Sequence, residues 1–131
     1  MTISSQDFLD SAEICLANDD EIGYRNAVSR GYYALYHEIS GRMTYMPRYA
    51  RDHHAALIEY LNTNTLHKNE PFESVKLKSL SYKLKSIRLE RNEADYDLDC
   101  MKFSREMAEQ SLIQIRNIFK DFKEMAYCKT A

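Results

Sequence analysis

Apolar positions along this chain recur at spacings of three and four for most of its length. Val28, Tyr32, Leu35, Ile39 and Met43 follow that spacing and stack along one side of a helix. The other side of the same stretch carries Arg30, Tyr33 and His37, with Gly23, Ala27, Ala34 and Gly41 beside them. The pattern therefore predicts a helix with a core face and a second face built for a neighbour or a ligand. Small residues admit another backbone closely, while a cation, a phenol and an imidazole can bind something.

The remaining pattern supplies four more helices. The first starts at Ser4 or Ser5, which can cap it, and runs to Ala17 with Phe8, Ala12 and Cys15 inward. The acidic run NDDE at 18–21 ends it and opens the two-faced helix, over Asp20 to Thr44, because carboxylates suit the positive end of a helix. Pro47 opens a third, from Arg48 to Leu61, with Tyr49, Ala56, Leu57, Tyr60 and Leu61 on its apolar side. NTNTLHKNEP at 62–71 is a polar loop. From Phe72, the stripe Leu77, Leu80, Leu84, Ile87, Arg91 and Ala94 marks a packed helix. After a break at 97–99, a last helix from Phe103 to Ala126 turns Ala108, Leu112, Ile115, Phe119 and Phe122 inward. The expectation is an all-α, mostly antiparallel five-helix bundle, forming one domain over residues 1–131.

Composition narrows this further. Only 3 Gly and 2 Pro in 131 residues leave little turn material for an all-β or α/β chain. A net charge of -2 and a pI near 6.1 argue against a general nucleic-acid coating protein but leave room for a local basic pocket. Cys15, Cys100 and Cys128 are odd in number and lack zinc spacing, so free cytosolic thiols are expected. The acidic, amphipathic start MTISSQDFLDSAEICLA resembles no targeting segment, and no apolar run approaches membrane-spanning length. The expected location is the cytoplasm, with no membrane partner.

Candidate chemistry centres on a few side chains. Arg91 occupies an apolar position of its stripe and needs an anion, a carbonyl or a route to water. Asp95, one turn on, offers an i, i+4 ion pair. Two readings stay open: a structural pair that locks the helix end, or an Arg that lines a cleft and holds phosphate bidentately, oriented by that carboxylate. His37 can act as a general acid or base, its reference pKa being near neutrality. His53 and His54 are adjacent and point about 100° apart, so with His67 in a loop no metal site is expected. No cofactor motif is present, and none is expected to be needed.

RNAVSRGYYALYHEISGRM, followed by RLERNEADYDLD, resembles the HEPN domain superfamily. The likeness is to small stand-alone prokaryotic members with an R-x-x-x-x-R-x-Y-Y-A-x-x-H helix and an R-x-x-A-D-Y segment, and it covers residues 5–122. The resemblance implies a five-helix, up-and-down bundle that forms homodimers with the binding or active cleft at the dimer. It further implies a metal-independent ribonuclease of toxin-antitoxin or defence systems, with an antitoxin or nucleotidyltransferase as partner. In the superfamily's nuclease motif an Arg is followed after four to six residues by His. Arg91 matches the Arg, but the residue in the His position is Tyr96, and no His follows His67. By spacing, Arg30 and His37 satisfy the pattern, but on the second helix. A cleavage site would then combine His37 as acid or base, Arg30 and Arg91 as cations and Tyr96 as donor, supported by Tyr33 and Asp95. The alternative is a non-catalytic module that binds a nucleotidyltransferase or a nucleotide.

Overall fold

The acidic run at 18–21 turns the chain between its first two helices. Asp19 adopts a left-handed backbone, φ 56°, and the Asp20 carboxylate accepts the Gly23 N–H at 2.8 Å, capping the second helix. In this computed structural model, residues 2–47, 52–99 and 102–130 are described, with backbone only for 128–130. The described residues contain no strand and form six helices. These are α1 (Ser5–Ala17), α2 (Glu21–Arg42), α3 (His53–Asn62), α4 (Asn64–His67), α5 (Ser74–Tyr96) and α6 (Arg105–Thr130).

Five of these are the helices expected from the spacing. The sixth, α4, is a single turn inside the stretch expected to be loop. His67 at its end and Glu70 just beyond it, polar by type, are buried by specific partners. The Glu70 carboxylate accepts the backbone N–H groups of Thr44 and Tyr45 at 3.0 and 2.9 Å and the Tyr60 hydroxyl at 2.5 Å. Composition alone marks such residues as exposed, and only the tertiary partners reverse that. The start expected for the third helix, including Tyr49, lies outside the described residues, as does Cys100. Cys15 is a free thiol.

The core stripe of α5 is as the spacing required: Leu77, Leu80, Leu84, Ile87, Arg91 and Ala94 are all buried. So are Ala108, Leu112, Ile115, Phe119 and Phe122 on α6. Helix α2 packs against α1, α5 and α6, and α3 covers α5. One consequence corrects the reading of its small residues. Gly23 faces α1, where an added Cβ would lie 2.5 Å from the Cys15 carbonyl oxygen, and Ala27 and Ala34 are fully buried. These positions admit neighbours within the chain rather than a ligand or a second subunit; Gly41 has open space around it. Among the described residues no helix is long and apolar enough to cross a membrane.

Candidate functional site

Where α2 passes the end of α5, the two helices are stitched by polar side chains. Arg25, buried on α2, donates through one terminal nitrogen to the carbonyls of Glu93, Ala94 and Asp97, and through Nε to Glu21. The Glu93 carbonyl also accepts the Asp97 N–H, while those of Ala94 and Asp97 lie at the helix end, where intrahelical donors run out, so Arg25 fixes the C-terminus of α5 against the start of α2. The next contacts along α2 are Ser29, which donates to Asp95 Oδ2 at 3.1 Å, and Tyr33, whose hydroxyl accepts from Arg91 at 2.7 Å.

Arg91 is 8% exposed and held on every side. One terminal nitrogen donates to Tyr33 and the other to Asn92 Oδ1 at 3.0 Å. Its Nε lies 3.0 Å from Asp95 Oδ2, an ion contact without the alignment of a hydrogen bond. Its guanidinium carbon also sits 5.2 to 5.6 Å from the ring centres of Tyr32, Tyr33 and Tyr96. Burial opposes its charge, but the Tyr33, Tyr96 and Asp95 oxygens outweigh burial and hold its pKa above the ordinary Arg value. Of its five N–H donors, three are directed at Tyr33, Asn92 and Asp95.

These residues wall a cleft of about 470 Å³ lined by Phe8, Asn26, Ser29, Arg30, Tyr33, His37, Arg91, Asp95 and Tyr96. The six side chains singled out in the sequence, Arg30, Tyr33, His37, Arg91, Asp95 and Tyr96, thus meet in one place. Arg30 is exposed and makes no hydrogen bond or ion pair among the described residues, so its charge is free. His37 stacks on Phe8 at 4.9 Å and on Tyr33 at 6.3 Å, and partial burial lowers its pKa below 6.5. The ring is therefore neutral at pH 7 and able to take a proton. No protein-family model, curated protein or solved structure matches this chain. The cleft must be read from its own chemistry.

That chemistry combines two cations and a carboxylate with aromatic walls. It offers one free and one anchored guanidinium, a neutral imidazole, and the rings of Phe8, Tyr33 and Tyr96, the last 70% exposed. Among the described residues no group of three or more His, Cys, Asp or Glu could hold a metal. A second groove, of about 600 Å³ between α5 and α6, has an apolar floor of Leu80, Ile118 and Phe122 and no imidazole.

Sequence reasoning missed several members. Asn26 and Ser29 fall on the same side of α2 as Arg30, Tyr33 and His37, so the 26, 29, 30, 33, 37 spacing carried the signal. Phe8, expected in the core, is half-buried and doubles as a cleft wall. His54 had no signal: it lies behind the cleft, bonded to the Tyr32 hydroxyl at 2.8 Å and against the Tyr36 ring at 4.3 Å. Burial, with Arg91 and Arg88 nearby, pushes its pKa down to about 4.

Proposed function

We propose that this chain is a HEPN-type, cytoplasmic helical protein that binds RNA in the α2–α5 cleft and cleaves it without metal, as part of a prokaryotic toxin-antitoxin or defence system. The observation that carries the reading is the convergence of Arg30, His37, Arg91 and Tyr96 on one cleft with aromatic walls. Metal-independent RNA cleavage needs a base to activate the 2′-hydroxyl, an acid for the leaving oxygen and cations for the pentavalent phosphate. His37 fits the first role, being neutral and exposed at the cleft mouth. Arg30 brings an uncommitted charge, while Arg91 brings one already oriented by Asp95 and Tyr33, which lowers the cost of ordering it. Bases can stack on Phe8 and Tyr96.

A single cleft holds one imidazole, so a second proton-transfer group would come from a second copy. Support for a homodimer lies on α5, where Val75, Tyr82, Leu89 and Tyr96 are spaced by seven residues and are 77, 78, 57 and 70% exposed. A seven-residue apolar repeat is the period by which one helix stays against another, and this row ends in the cleft at Tyr96.

The second reading is a non-catalytic module that binds a nucleotidyltransferase or a nucleotide. What favours it is the anchoring of Arg91 by Asp95, Tyr33 and Asn92, the arrangement of a structural lock. Purified protein held in EDTA with labelled RNA separates the two. Cleavage should fall about 10²-fold or more in His37→Ala and should fall in Arg30→Ala. If wild-type protein cleaves nothing above a mock preparation, the nuclease reading is wrong and the module reading remains.

A further inference from the structure

Far from the cleft, at the opposite end of α5, a serine and a histidine are arranged in a way the RNA reading does not use. His67 is 2% exposed. Its Nδ1 lies 3.0 Å from the Tyr60 carbonyl oxygen and its Nε2 lies 2.8 Å from Ser74 Oγ. A carbonyl oxygen only accepts, so Nδ1 carries the proton, and in the neutral ring Nε2 is left as an acceptor. The Ser74 hydroxyl therefore donates to Nε2. As placed, Asn64 Oδ1 lies 3.1 Å from Ser74 Oγ as a second acceptor for that single proton; giving the proton to Nε2 requires the Asn64 amide turned about, its NH2 then donating to the Ser74 oxygen. A buried base oriented by a backbone carbonyl and bonded to a half-exposed hydroxyl is the arrangement that activates a serine.

The position of Ser74 adds what a nucleophile alone lacks. It is the first residue of a 23-residue helix whose N-cap, Glu73, makes no side-chain capping bond. Leu77 N–H is satisfied by the Glu73 carbonyl, but those of Ser74, Val75 and Lys76 have no acceptor among the described residues. Free N–H groups immediately after a serine at the start of a helix are suited to holding an oxyanion.

The geometry points to Ser74 as a nucleophile for acyl groups, with His67 as its base and the Val75 and Lys76 N–H groups as oxyanion donors. The substrate class is a small ester or thioester. The Ser74 hydroxyl proton passes to His67 Nε2 as the Oγ–carbonyl carbon bond forms and the carbonyl electron pair moves to oxygen. Collapse breaks the bond to the alcohol or thiol, which leaves with the proton from Nε2. Water then releases the acid by the same two steps, again through His67.

The test treats the folded full-length chain with a fluorophosphonate probe, which bonds serine oxygen to phosphorus as fluoride leaves, and reads intact mass and the labelled peptide. One adduct per chain at Ser74 is expected, absent from the same protein in urea and from Ser74→Ala. His67→Gln should slow labelling about 10²-fold. Because His67 is buried, Asn64→Ala is the companion variant, with circular dichroism confirming the fold of each. p-Nitrophenyl acetate should give a burst near one equivalent of nitrophenolate, lost in Ser74→Ala. A bond that merely closes the loop predicts no labelling of folded protein; that result, or labelling undiminished by Ser74→Ala, overturns the assignment. Ser74→Ala should leave any RNA cleavage unchanged, so this site and the cleft stand or fall separately.

Discussion

The stability of the fold should drain with acid through one histidine. His54 is wedged among Tyr32, Tyr33 and Tyr36, and the cations beside it are Arg88 and Arg91, opposed by Asp52, with the His53 ring next in the chain. Burial and the two arginines lower its pKa from 6.5 to about 4. The unfolded chain takes up this proton as pH falls through 6.5, whereas the folded chain does so only near 4. Stability is thus complete above the ordinary value and is lost as pH falls between them. With those two pKa values, linkage gives a loss of about 1.8 kcal/mol between pH 7 and pH 5. His54 keeps some contact with water, and screening reduces this to about 1 kcal/mol. Urea titrations at both pH values, for the native chain and for His54→Gln, measure it. Gln retains a partner for the Tyr32 hydroxyl and does not titrate. His37, also lowered, acts in the same sense in both proteins and cancels in the comparison. The native chain should lose about 1 kcal/mol more than the variant. Equal losses would refute the placement of His54 as a buried neutral ring.

Three substitutions probe packing and polar satisfaction by the same titration. Gly23→Ala should destabilise by more than about 1 kcal/mol, because its Cβ would meet the Cys15 carbonyl oxygen, and backbone cannot move aside cheaply. Gly41→Ala should instead stabilise by about 0.5 to 1 kcal/mol, since nothing lies within 4 Å and Ala is the better helix former. Glu70→Ala should cost about 2 to 3 kcal/mol, as it strips the acceptor from the Thr44 and Tyr45 N–H groups and the Tyr60 hydroxyl; a loss below about 0.5 kcal/mol would count against that network.

How much of this was legible beforehand depends on what each residue answers to. Leu77 through Ala94 and Ala108 through Phe122 answer to periodicity, and the stripe placed them in the core, Arg91 included. The meeting of Arg30, His37 and Arg91 was readable because spacing put two on one face of α2, and a charged residue on an apolar stripe needed a partner. What escaped was set by tertiary partners. His67 and Glu70 look like loop residues until Tyr60, Ser74 and the Thr44 backbone are placed beside them. Gly23, Ala27 and Ala34 suggested an open face because a helical wheel shows which residues share a side but not which neighbour fills it.

The contacts of α2 also govern where this chain can change length. Each residue added to a helix turns everything after it by about 100°. An insertion between Ser29 and Tyr33 would leave Arg25 holding the end of α5 while carrying Tyr33 and His37 off the cleft and Leu35 and Ile39 out of the core. Because α1, α5 and α6 all lean on that helix, no single neighbour could follow the rotation. Related chains should therefore keep the count of residues from Arg25 to Ile39 fixed while their side chains vary, and should accumulate length differences between α2 and α3 instead. Gapless alignment across that stretch is the footprint by which distant kin of this protein could be found.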